Sequence, residues 1–131
     1  MQERGLAWEN YYATQVSAES RLPAGFKVYD FYDKTTGVAT SAKSLDTTTA
    51  AKIANPKQIY HTMKRDMIDP IIDFQQDFRM RTRVMDVDIV RRELQLAIPQ
   101  NTTLAQWAQI NRGIDYAQLN GIHVEITLIR P

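Results

Sequence analysis

The chain has 131 residues, of which 44% are hydrophobic and 24% charged, with a formal net charge of +1; this suits one globular domain with a core of its own. The absence of cysteine excludes disulfides, thiolate zinc sites and a cysteine nucleophile, and leaves His61 and His123 as the imidazoles available for ligation or proton transfer. With so small a net charge, binding of an anionic polymer must come from local clustering of the 16 Lys and Arg residues.

No apolar run approaches the roughly 20 residues of a membrane span, and the opening Met-Gln-Glu-Arg lacks the basic and apolar regions of a signal peptide. Gly5 to Ser20 carries Leu6, Ala13 and Val16 at helical spacing, with Tyr12 beside them, which predicts an amphipathic helix. Glu9 falls inside this stripe. Either it lies at the edge and reaches solvent, or it meets a partner brought by the next segment. Arg21-Leu22-Pro23-Ala24-Gly25 is rich in breakers and ends the helix.

Phe26 to Asp46 reads as two strands joined by a turn over Lys34-Thr35-Thr36-Gly37, whose glycine can take the positive φ that hairpin closure often requires. Side chains alternate between the faces of a strand. If Asp33 pairs with Val38, Asp30 lies opposite Ser41 and diagonal to Lys43, so that a carboxylate, a hydroxyl and an ammonium point the same way. A slip of one residue would separate them.

The Thr- and Ala-rich stretch from Asp46 to Asn55 suits a loop with one helical turn. Asn55-Pro56 predicts a helix start, with Asn as N-cap and Pro in the first turn, and the helix should run to about Ile68. Asp69-Pro70 repeats the signal and predicts a kink or a second segment to Phe78. On the first of these helices Ile59, Met63 and Met67 face inward, while Lys57, His61, Lys64 and Arg65 form a basic outer face. The methionines read as core filling. Arg79 to Val90 fits a strand or an ordered loop. Arg92 to Ile98 alternates cleanly, with Leu94, Leu96 and Ile98 on one face, and reads as a strand stopped by Pro99. Thr102-Thr103 opens a helix bearing Leu104, Trp107, Ala108, Ile110 and Ile114, which closes at Asn120-Gly121. A last strand from Ile122 to Ile129 places Ile122, Val124, Ile126 and Leu128 on one face. Strand, helix and strand predict a parallel pair, and the whole order predicts an α/β (α+β) domain over residues 1–131, a mixed β-sheet flanked by helices.

Carboxylates that can hold a hard cation, with a lysine to meet charge developing on a phosphate, are what metal-dependent phosphodiester cleavage requires. Glu9, Asp30 and Ser41-Ala42-Lys43 resemble the layout of restriction-endonuclease-like nucleases, a Pro-Asp followed by Asp/Glu-x-Lys. Tyr29 stands in place of the Pro and Ser41 in place of the second acid. A metal would therefore be held by Asp30, Glu9 and the carbonyl of Ala42.

The succession LAWENY, LPAG, FKVYDFYD, TTGVATSAKSLDT, NPKQIY, LQLAIP, TTLAQWAQINRGIDYAQ and GIHVEITLIR resembles, over nearly the whole chain, the C-terminal toxin domain of contact-dependent growth inhibition proteins, in the branch described as tRNA-cleaving. The resemblance implies the removable end of a very large surface-displayed bacterial protein, delivered into the cytoplasm of a neighbouring cell and neutralised in the producer by a cognate immunity protein; Met1 would then be an added start codon. It further implies Glu9, Asp30, Ser41 and Lys43 as the catalytic set, with Asp33 as a reserve acid. Glu9 and Asp30 would hold Mg²⁺, another divalent ion, or a water. Lys43 would offset charge on the phosphate, and Ser41 would hydrogen-bond the phosphate or the water.

Gln58 and Tyr60 can reach the same pocket from the next helix, or can form an ordinary polar helix start. Lys57, His61, Lys64 and Arg65, with Arg79, Arg81 and Arg83, suit contacts to tRNA phosphates. Trp8, Tyr11, Tyr29 and Tyr32 can stack on bases, although core packing is the commoner use. Cleavage of DNA by the same fold and a non-catalytic nucleic-acid or protein-binding module are the alternatives. A host activating factor and an immunity protein with an acidic contact surface complete the expected partners.

Overall fold

The computed structural model describes residues 3–79 and 81–130. Helix α1 spans Glu3–Ala13, strand β1 Phe31–Asp33, and strand β2 Val38–Ser44. Two short helices follow, α2 (Ala50–Ala54) and α3 (Lys57–Thr62); a π-helical turn over Met63–Ile68 then leads into α4 (Asp69–Asp73). A separate hairpin consists of β3 (Gln76–Arg79) and β4 (Thr82–Met85), and the chain ends with β5 (Arg91–Pro99), α5 (Leu104–Leu119) and β6 (Ile122–Ile129). The main sheet has the order β1-β2-β5-β6. The first pair is antiparallel and the other two are parallel, so the expected mixed sheet and its terminal parallel crossover are both present.

Helices cover both faces. Register pairs Ser41 with Leu94 and Lys43 with Leu96, and on this face Leu94, Leu96 and Ile98 pack in one cluster with Ile59, Met63, Ile68, Ile110 and Ile122. The opposite face carries Phe31, Ala42 and Ala97, which pack against Trp8 of α1. Trp8 also donates its indole N–H to the carbonyl of Gln95 at 3.2 Å, a satisfied polar tip on a buried ring.

Several expectations change in detail. The first helix stops at Ala13 rather than Ser20, and Ala18–Ser20 forms a single 3₁₀ turn. The Thr14 hydroxyl donates to the Tyr11 carbonyl at 2.7 Å, the local competition by which Thr weakens a helix. Leu6, placed on the buried stripe, is 46% exposed, and Trp8 takes its place in the core. Asn55 ends α2 instead of capping α3, since its N–H donates to Ala51. The π turn falls just before Pro70, where a missing N–H and the ring's clash with the preceding turn favour a wider loop; the N–H of Asp69 accordingly donates to the carbonyl of Lys64. Arg79 to Val90 holds a hairpin's second half and a 3₁₀ turn at Asp86–Asp88. In α5, Leu104 is 89% exposed and Ala108 is exposed. Its capping box joins Thr103 and Gln106, and the buried Gln106 amide donates to the Thr47 carbonyl at 2.7 Å. Leu128 is also exposed. Met63 and Met67 are buried as expected and Met85 is half-buried; Met1 and Met80 lie outside the described residues.

Candidate nuclease site

The site forms where β1 begins. Asp33 pairs with Val38, Tyr32 with Ala39 and Phe31 with Thr40, the register expected from the sequence, but regular pairing begins only at Phe31. At Asp30 the backbone N–H still reaches Thr40 at 2.9 Å, and its carboxylate Oδ2 accepts the N–H of Ala42 at 2.8 Å. The side chain therefore satisfies a strand donor that the shortened β1 leaves open. Ala42's carbonyl leaves β2 on the same edge as its N–H, as the expected ligand set requires.

Glu9 reaches this edge from α1. A cleft is lined by Leu6, Glu9, Arg21, Pro23, Tyr29 and Asp30, among others. Burial pushes the Asp30 carboxyl up to about 6; the Ala42 N–H and Lys43 oppose the shift, and Glu9 adds to it. Two neighbouring carboxylates of which one resists ionisation are the arrangement from which acid-base and cation sites are built. Glu9 finds its partner in Arg21, whose Nη2 lies 3.0 Å from Glu9 Oε2. Lys43 is half-buried and takes part in none of the side-chain ion pairs within 4 Å among the described residues. Its charge acts on Asp30 and weakly on Asp66, which Arg65 chiefly holds below the usual carboxylate range.

The remaining expected residues divide. Ser41 is fully buried beside the site and its hydroxyl has no hydrogen-bond partner. Asp33 is engaged in the hairpin turn, where its Oδ1 accepts the N–H groups of Thr35 and Thr36 at 2.9 and 3.3 Å. Gln58 is exposed, and the Tyr60 ring lies under the guanidinium of Arg112 at 4.0 Å; neither lines the cleft. The outer face of α3 and the π turn is less basic than its sequence suggests. Lys64 is paired with Asp69 at 3.1 Å and Arg65 with Asp66 at 2.8 Å, leaving Lys57 and His61 exposed. Arg79, Arg81 and Arg83 are exposed on the β3–β4 hairpin. Arg79 approaches the cleft rim, where a Cβ built on Gly25 would lie 3.7 Å from its Nε. Trp8 and Tyr29 belong to the core, whereas Tyr11 is exposed. His123 meets Glu125 at 3.3 Å on β6.

Among the described residues no group of three or more His, Cys, Asp or Glu side chains converges. Two carboxylates and a backbone carbonyl nevertheless fit a hard divalent ion that keeps several waters, the usual habit of Mg²⁺. Sequence reasoning missed Arg21, which lies in a segment noticed only for its breakers.

The chain is 42% identical over 128 residues to "Deoxyribonuclease CdiA-o11" of Escherichia coli O157:H7 (strain EC869), and 41% identical over 128 residues to "Deoxyribonuclease CdiA" of Yersinia pseudotuberculosis serotype O:3 (strain YPIII). Each alignment covers 98% of this chain but only 34% and 12% of the respective relative. A solved structure, "CdiA-CT/CdiI toxin and immunity complex from Yersinia pseudotuberculosis", contains a chain that superposes with a TM-score of 0.85 at 42% identity, covering 94% of this chain and 98% of that one. The model of the CDI toxin restriction endonuclease-like domain matches residues 4–127, and the chain belongs to that family.

Proposed function

We propose that the chain is a nuclease toxin domain that cleaves DNA. The observation that carries this reading is the Asp30 carboxylate at the start of β1, which feels the charges of both Glu9 and Lys43, in a chain whose relatives are named deoxyribonucleases. Those names give no support to tRNA as the substrate; they favour the DNA alternative of the same fold.

In the proposed reaction Asp30 and Glu9 hold the attacking water beside the phosphodiester, and the same two carboxylates would hold a divalent ion with its waters. A divalent ion there would lower the pKa of bound water and polarise the phosphate. The Ala42 N–H keeps the Asp30 carboxylate in the plane of the sheet, and Lys43 meets the negative charge that grows on the phosphate oxygens as water adds, giving its proton to Asp30, and the P–O bond to the leaving oxygen breaks, that oxygen taking a proton from solvent. Ser41 holds a water behind this pair. Arg79, Arg81 and Arg83 contact backbone phosphates beyond the cleft, with Lys57 and His61 as further contacts. Gln58, Tyr60 and Lys64 act at most on the flank of the substrate.

The CdiA-CT of the Yersinia pseudotuberculosis complex is bound to an immunity protein, and we extend this to the present chain, with delivery to the cytoplasm of a target cell as the end of a longer surface protein. The test is a gel of plasmid DNA and of total tRNA after exposure to the wild type and to Asp30→Asn, each with Mg²⁺ and with chelator. Nicked or linear plasmid from the wild type alone is the expected result, obtained without a host factor. Cleaved tRNA with intact plasmid would overturn the DNA reading.

A further inference from the structure

The Arg21 guanidinium is more firmly placed than an exposed arginine needs to be. Its backbone forms an antiparallel bridge with Phe31, and the next N–H, that of Leu22, donates to the Asp30 carbonyl at 2.9 Å. The residue is thus tied to the same short strand that presents Asp30. Its Nη2 donates to Glu9 Oε2 at 3.0 Å and to Asn10 Oδ1 at 2.7 Å. Both N–H bonds of Nη2 are then used, and those of Nε and Nη1 have no partner among the described residues.

Stability gives little reason for this arrangement. The Glu9 and Arg21 side chains are 22% and 36% exposed, and an ion pair so open to water contributes only about 0–1 kcal/mol. The arginine also lines the cleft with Glu9 and Asp30. A planar fork with one nitrogen on a carboxylate and the rest free is suited to a phosphate oxygen.

We propose that Arg21 joins the acidic pair to the substrate: Nη2 orients the Glu9 carboxylate, while Nε and Nη1 take a non-bridging oxygen of the phosphodiester bound in the cleft. This deepens the nuclease reading and rests on it. Arg21 partly offsets the repulsion between the two carboxylates and an incoming polyanion.

Two measurements separate this role from that of a brace. The first is made with chelator in a Glu9→Gln background, where Gln can still accept from Nη2. Affinity for a short fluorescent DNA duplex is followed by anisotropy over a range of salt, with tRNA in parallel. Adding Arg21→Ala should lower the affinity about tenfold and flatten the slope of log K against log salt by about 0.9, the loss of one phosphate contact. The second is the cleavage of plasmid with Glu9 restored. Arg21→Ala should lower kcat/KM on the order of 100-fold; Arg21→Lys should keep the salt slope yet recover little of kcat, because the fork that orients Glu9 is gone. Melting temperatures within a few degrees of the parent exclude misfolding. An unchanged slope on Arg21→Ala would reduce Arg21 to a brace and overturn the proposal. If tRNA binds and is cut in place of DNA, the DNA reading fails while the tRNA slope decides Arg21; binding of neither polymer would overturn both.

Discussion

Asp30 Oδ2 receives the N–H of Ala42 at 2.8 Å, so a side-chain carboxylate stands where a longer β1 would have placed a carbonyl. Through this bond the hairpin register, the end of a strand and the chemistry of the site become one feature. Asp30 cannot move without leaving a donor of β2 open, and the next residue along that strand is Lys43.

Asp30 should make the protein less stable as the pH rises. Its carboxyl titrates at about 6 instead of 3.8, chiefly because it is buried. Between these values the folded chain holds a proton that the unfolded chain has lost, so stability falls as pH rises through this window and stays lower above it. Asp30→Asn can still accept from Ala42 and removes the ionisation cost. It should be more stable than the wild type by about 3 kcal/mol above pH 7, the difference closing below about pH 4. Urea titrations at several pH values measure this; a constant difference would mean that Asp30 titrates normally. Wild-type cleavage should rise with pH through about 6 as the carboxylate forms.

Lys43→Ala should lose activity while keeping its fold. Lys43 is in none of the ion pairs described, and it helps to hold down the Asp30 pKa. Removing it should cost about 10²–10³ in kcat, the size expected for a lost electrostatic stabiliser. It should also move the pH midpoint of the residual rate upward. A rate loss with an unmoved midpoint would separate Lys43 from Asp30.

The sheet was legible in the sequence because its signals are local. The alternation of Leu94, Leu96 and Ile98, the turn at Gly37, and Thr102-Thr103 at the start of α5 each decide structure within a few residues. The register followed from them, and with it the meeting of Asp30 and Lys43. What was hidden depends on distant partners. Nothing near Trp8 says that its indole will find the carbonyl of Gln95, so Leu6 was a plausible core residue in its stead. Lys64 and Arg65 read as free cations until Asp69 and Asp66 are seen to pair with them. Arg21 is similar: its contact with Glu9 spans two structural elements.

Gly37→Ala should be among the more damaging single substitutions. The glycine has φ 76°, and an added Cβ would stand 2.5 Å from Cγ2 and 2.9 Å from Cβ of Val90. Its carbonyl also accepts from the N–H of Val90 at 2.8 Å, tying the turn to the start of β5. The left-handed backbone costs about 1 kcal/mol for an alanine, and overpacking adds about 1–3 kcal/mol. Val90→Ala in the same chain removes the contact with Cγ2 but keeps the one with Cβ and the backbone strain, so the double variant should recover part of the loss. Full recovery in denaturant melts would show that the conformation itself costs nothing.

Ser41→Ala distinguishes a catalytic hydroxyl from a core one. The side chain is 1% exposed and its Oγ lacks a partner, so in a purely structural role the hydroxyl is a liability, and its removal should leave stability unchanged or raise it by about 1 kcal/mol. If it holds a water against the Asp30 and Lys43 pair, the same substitution should lower kcat about tenfold on the general scale of a lost positioning hydrogen bond. We expect both together, a protein at least as stable that cuts more slowly. Thermal melts and initial plasmid-cleavage rates on one preparation give the answer, and an unchanged rate in a stabilised protein would return Ser41 to the core.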